Sequence, residues 1–139
     1  MTWLPYALLS AAAAAATAIL AKIGIEGVPS NLATAIRTVV ILIFASTIVI
    51  GGGQHHALSK ISGRSLLFLV LSGVATGISW LAYFRALQLG PASRVAPIDK
   101  LSLALTLVLA AVVLRETITW KVAVGVALMV AGALLTIVG

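Results

Sequence analysis

RVAPIDKLSLALTLVLAAVVLRE, residues 94–116, contains an apolar run that is long for a strand and short for a membrane span. Leu101–Leu114 is fourteen residues, which as a helix covers about 21 Å. The hydrocarbon core of a bilayer is about 30 Å thick and needs about 20 residues. The rest of the chain decides whether that shortfall matters. Hydrophobic residues make up 62% of the 139 positions and charged residues 9%, more apolar surface than a water-soluble domain of this size can hide. Lipid is the solvent the sequence is written for, so the run at 101–114 must be lengthened. Arg115 and Glu116 block extension at its C-terminal end. The helix therefore recruits residues back to about Ser93 or Val95, which carries Asp99 and Lys100 at least one turn inside the membrane. Pro97 then lies within the helix, where it removes a backbone hydrogen bond and bends the chain.

Working outward, apolar segments of the right length occur at about 3–23, 32–50, 65–87, 94–114 and 122–138. The first is dominated by six alanines at 11–16, weakly hydrophobic residues suited to close helix contact. It lacks the basic n-region of a signal peptide and is too long for one, so it reads as a span. GIEGVPSN (24–31) is a turn in which Ser30 or Asn31 can cap the next helix. GGGQHHALSKISGR (51–64) is a polar loop, and LGPASR and RETITWK separate the remaining spans. The sequence predicts an all-α membrane protein of five transmembrane helices, with residues 1–139 forming one domain.

The formal charge is +6, yet the basic residues stand singly among apolar runs without aromatic interleaving, which argues against nucleic acid. There are no cysteines, so thiolate chemistry and disulfides are excluded. His55 and His56 have no acid near them in sequence, and a metal site needs three or four convergent ligands; they read as a solvated turn, with no metal and no cofactor implied. No nucleophile–base pair, phosphate loop or carboxylate pair supports an enzyme.

Five spans place Lys60, Arg64, Arg115 and Lys121 on the side of the N-terminus, and Lys22, Arg85 and Arg94 on the other, with Arg37 and Lys100 inside spans. Orientation normally follows an excess of Lys and Arg on one side, and four against three is hardly an excess. Either a partner sets one orientation, or copies insert both ways and pair as an antiparallel homodimer, building an inverted repeat from one short chain. The second reading is preferred.

ALLSAAAAAATAILAKIGIEGVPS, LATAIRTVVIL, LAYFRALQLGPAS and VLRETITWKVAVGVALMVAGALL, in this order and spacing, resemble a single EamA repeat of the drug/metabolite transporter superfamily. Lys22, Arg37 and Glu116 match family positions at the ends of its first and fourth helices and in its second. Family members usually carry two such repeats in opposite orientation, so the resemblance implies half a transporter, similar to the small multidrug resistance proteins that work as antiparallel dimers. Where the family often has Trp-Gly and Ser-Asn in the first helix, this chain has Ala14, Ala15, Ala16 and Thr17. It also lacks the first-helix carboxylate used by small multidrug resistance cation exporters.

Candidate site residues follow from periodicity and depth. Ser72, Thr76, Ser79 and Tyr83 are spaced 4, 3 and 4 apart, one helical face about 16 Å long with Trp80 on its flank. They line a cavity, or the hydroxyls bond their own backbone and the aromatics form an interfacial belt. Arg37 lies about 9 Å into its helix and faces the bundle interior or snorkels to the surface. Gly73 and Gly77 read as packing within a subunit, Gly125 and Gly132 as a dimer seam. Neighbours on a helix project about 100° apart, so Asp99 and Lys100 need separate partners, Arg37 being a candidate for Asp99. The chain reads as a multi-pass transporter of the inner (plasma) membrane that dimerises antiparallel and carries a small polar metabolite. Asp99 titrates or holds a cationic group, and Arg37 and Lys100 bind a carboxylate or balance Asp99. A non-transporting membrane subunit needing a second repeat, or a cation exporter of the small multidrug resistance type, is the alternative.

Overall fold

The computed structural model describes residues 2–138. Helices α1 (Leu4–Gly24), α2 (Ser30–Gly51), α3 (Gly63–Leu89), α4 (Ala92–Asp99), α5 (Ser102–Val113) and α6 (Trp120–Val138) follow one another, with a 3₁₀ helix, Gln54–Lys60, between α2 and α3. Five helical segments are long and apolar enough to cross a membrane, α4 and α5 together supplying one 22-residue segment, Ala92–Val113. At 1.5 Å per residue that segment is about 33 Å long, so the short run at 101–114 is lengthened backward as its sequence requires.

Punctuation explains each boundary. Ile25 N–H closes on the Ala21 carbonyl at 2.9 Å before the chain turns at Gly27, whose φ of +72° suits glycine. The cap expected from Ser30 or Asn31 is supplied differently: Pro29 occupies the N-cap position at φ −56°, with no side-chain cap bond, and Ser30 is already helical. Proline's fixed φ suits that entry and needs no donor. Before α3, Ser62 Oγ accepts the Ser65 N–H at 3.1 Å, a side-chain cap. The polar loop is more ordered than its composition suggests, because Gly53 at φ +67° lets the chain start the 3₁₀ turn. At the end of α5, Arg115 adopts φ +56°. Glu116 N–H and Leu114 N–H both reach the Ala110 carbonyl at 3.1 Å, closing one of the carbonyls at the helix end.

The chain divides into two compact units, Leu20–Gln88 on one hand and Met1–Ile19 with Leu89–Gly139 on the other. Within the first, Ile25, Ser30, Thr34, Phe84 and Leu87 are buried, at the start of α2 and the end of α3. Ser30, Ala33, Thr34 and Arg37 form the covered stripe of α2, at the i, i+3, i+4, i+7 spacing of one helical face. In the second unit, α6 lies alongside α4 and α5, with Ala133 buried. Most apolar side chains of all the spans are left uncovered by protein, as lipid-facing helices require.

The expected packing of Gly73 and Gly77 inside the subunit is not found. A methyl built on either would meet nothing within 4 Å, and the same holds for Gly125 and Gly132. Among the described residues these glycines face open space.

Candidate functional site

Two constellations of polar groups lie within spanning segments. The first belongs to Leu20–Gln88. The Arg37 guanidinium carbon lies 4.3 Å from the centroid of Trp80 and 5.4 Å from that of Phe84. Trp80 and Phe84 are four apart on α3, one turn above each other on the same face. Tyr83 meets Phe84 edge-on with centroids 6.4 Å apart. Arg37 is half-covered, as are Trp80 and Tyr83. A guanidinium over an indole is held by the electrostatic attraction of the ring face for a cation. Phe84 is absent from the sequence-level site; its place four residues after Trp80 was the available signal.

The end of this constellation is fixed by capping. Lys22 Nζ donates to the Leu87 carbonyl at 2.5 Å, satisfying one of the open carbonyls at the α3 C-terminus and placing a cation at the negative end of the helix dipole. Gln88 Nε2 donates to the Val28 carbonyl at 3.0 Å, while Arg85 donates to Gln88 Oε1 at 2.8 Å. One glutamine thus ties the α1–α2 turn to the last turn of α3. A cleft of about 450 Å³ lined by Lys22, Ile23, Ile25, Glu26, Gly27 and Gln88 opens at this end.

Ser72, Thr76 and Ser79 share one face of α3, and all three are uncovered by protein. Thr76 Oγ1 donates to the Ser72 carbonyl at 2.9 Å. Thr34, Thr38, Thr47 and Thr106 do the same one turn back along their own helices, a bond that satisfies a hydroxyl in lipid. Thr76 keeps only acceptor capacity for a ligand.

The second constellation is the break in the fourth span. Pro97 cannot donate to Ser93, and the backbone tightens after it. Lys100 N–H bonds the Pro97 carbonyl at 3.1 Å, Leu101 the Ile98 carbonyl at 3.0 Å, and Leu103 the Lys100 carbonyl at 3.0 Å. These are i→i+3 bonds of 3₁₀ type. Asp99 ends α4 and Lys100 falls in the break, so the expectation that the two side chains point apart fails here. Lys100 Nζ lies 3.2 Å from Asp99 Oδ2. Asp99 is seven residues into Ala92–Val113, about 10 Å along it. The pair is open to its surroundings, the side chains being 53% and 35% exposed for Lys100 and Asp99.

His55 and His56 are exposed, with ring centroids 3.9 Å apart. Among the described residues no three His, Cys, Asp or Glu side chains converge as a metal site would require.

Five helical segments long and apolar enough to cross a membrane define a polytopic membrane protein. The chain belongs to the EamA-like transporter family, whose description matches residues 1–138. It is similar to the "Uncharacterized transporter in cobO 3'region" of a Sinorhizobium species, with 53% identity over 134 residues, 96% of this chain and 95% of that relative. No solved structure matches it. The chain is a multi-pass membrane protein of the drug/metabolite transporter type, and family and relative alike point to transport rather than catalysis.

Proposed function

We propose that two copies of this chain assemble antiparallel in the inner membrane, five helices with five, and carry a small polar metabolite by alternating access through the cavity between them. The observation behind this reading is that Asp99 and Lys100, one turn or more inside a span, are left open by their own chain. Hydrocarbon does not solvate such groups, and charged residues at depth face protein or a watery cavity. A second set of helices has to cover them. Four basic residues on one side of the membrane against three on the other leave both orientations open to a copy of the same chain. The relative at 53% identity is matched over 95% of its own length. Gly125 and Gly132 on α6, with open space beside them, offer a seam for close approach.

In this reading Asp99 exchanges protons or holds a cationic group, Lys100 pairs with it and with substrate, and Arg37 supplies a fixed positive charge. Trp80 and Tyr83 shape the pocket, and Ser72, Thr76 and Ser79 offer hydrogen bonds. The test is flux into proteoliposomes holding only this purified chain. Transport driven by a pH gradient is expected, and Asp99→Asn should abolish it; unchanged transport in that variant removes the coupling role. A purified chain that moves nothing across a broad metabolite panel overturns the proposal in favour of a subunit that needs a second repeat. Orientation is read by labelling Ser59→Cys, the sole cysteine, from each face. Labelling from both sides is expected, and labelling from one side refutes dual topology.

A further inference from the structure

We infer that Arg37 is the docking point for an oxyanion, so that the substrate carried by this protein bears a carboxylate or phosphate group; this deepens the transporter reading and rests on it. Arg37 stands seven residues past Ser30 on α2, about 10 Å from the helix start. Trp80 is nine residues and Phe84 five residues from the α3 end at Leu89, about 13 and 8 Å respectively. The guanidinium lies nearer the deeper ring, 4.3 Å against 5.4 Å. A snorkelling arginine would lean the other way, toward the helix end.

Among the described residues the guanidinium makes no hydrogen bond and no ion pair. Arginine carries five N–H donors, has no acceptor and stays protonated. Donors left without acceptors in a low-dielectric setting are costly. The faces of Trp80 and Phe84 attract the cation but offer no lone pair to the N–H groups at its rim, and Tyr83, within electrostatic reach of Arg37, carries a single phenol oxygen against five donors. What fits there is a planar or trigonal oxyanion, accepting two parallel hydrogen bonds. The approach is favourable as well, because Lys22 and Arg85 stand against one acid, Glu26, at the end of the same unit. Fixed positive charge at an opening concentrates anions.

Trp80 makes the site readable. With Trp3→Phe and Trp120→Phe it is the single indole of the chain, stacked on the group in question. The purified protein in phosphatidylcholine nanodiscs is titrated at constant ionic strength with sodium acetate, with inorganic phosphate and with choline chloride. A saturable change in Trp80 emission is expected with acetate or with phosphate, the stronger of the two naming the anion class, and none with choline. Arg37→Gln should weaken that response about 10-fold or more. Arg37→Lys should weaken it less, because it keeps the charge and loses the fork. No response to either oxyanion, a response to choline, or an unchanged response in Arg37→Gln each overturns the assignment. The titration with Arg37 intact stands even if the glutamine variant does not fold. Flux separates the two ideas: oxyanion binding without flux sinks the transporter reading alone, while flux without a Trp80 response sinks the oxyanion site alone.

Discussion

Asp99 and Lys100 close to 3.2 Å although neighbours on a regular α-helix project about 100° apart. The tighter backbone after Pro97 brings them together, and their mutual neutralisation is what makes two charges tolerable at that depth. Removing one partner leaves the other as an isolated charge in a span. Asp99→Asn and Lys100→Gln should each destabilise the protein by about 3 kcal/mol, the scale of placing one charged residue in a spanning helix. The double variant Asp99→Asn/Lys100→Gln removes both charges and should return to within about 1 kcal/mol of the parent. Unfolding in lipid nanodiscs measures all three. A double variant no more stable than either single one means that the pair is not coupled. Lys22 contrasts with it: its ammonium is held by the Leu87 carbonyl, a helix-capping role that needs no ligand.

Pro97 is where one residue sets the behaviour of an element. Its missing N–H forfeits the bond to the Ser93 carbonyl, and α4 passes into α5 through i→i+3 bonds at Lys100, Leu101 and Leu103. Pro97→Ala restores the donor. The prediction is a continuous helix from Ala92 to Val113, with Asp99 and Lys100 swung apart. Amide exchange at Lys100 and Leu101 should slow by about 5-fold, the worth of one backbone hydrogen bond. Unchanged exchange at those two amides would show that the break has another cause. At this scale the sequence is legible because lipid imposes length. The spans read at 3–23, 32–50, 65–87, 94–114 and 122–138 correspond to Leu4–Gly24, Ser30–Gly51, Gly63–Leu89, Ala92–Val113 and Trp120–Val138, displaced by one or two residues where Pro29, Ser62 and Pro91 set the true ends. Side-chain geometry was less legible. The Asp99–Lys100 contact depends on a local change of helix type that a fixed 100° period does not contain. The i, i+4 spacing puts Phe84 on the face of Trp80, but that α2 brings Arg37 against this face is a contact between helices that spacing within one helix does not contain. Gly73 and Gly77 carry a packing motif, yet among the described residues a methyl built on either meets nothing within 4 Å.

For the whole molecule the deciding quantity is the distribution of nine basic residues. Short loops within reach of the span ends govern insertion, and each Lys or Arg counts. With Lys60, Arg64, Arg115 and Lys121 facing Lys22, Arg85 and Arg94, two substitutions are enough to tip the balance. Gln54→Lys with Ala57→Lys adds two charges to the 3₁₀ helix between α2 and α3, whose side chains are exposed, and should fix that loop in the cytoplasm. Lys60→Gln, Arg64→Gln and Lys121→Gln together leave Arg115 alone against three and should fix the opposite orientation. All of these substitutions leave Arg37, Trp80, Asp99 and Lys100 themselves unchanged. Labelling of Ser59→Cys should therefore be one-sided in each background, from opposite faces in the two. If the transporter is an antiparallel pair, each biased variant expressed alone should lose substrate flux, because no inverted partner exists. Co-expression of the two should restore it. Full flux from either variant alone would mean that the cavity forms from copies in one orientation, and the near-even charge distribution would then have no part in assembly.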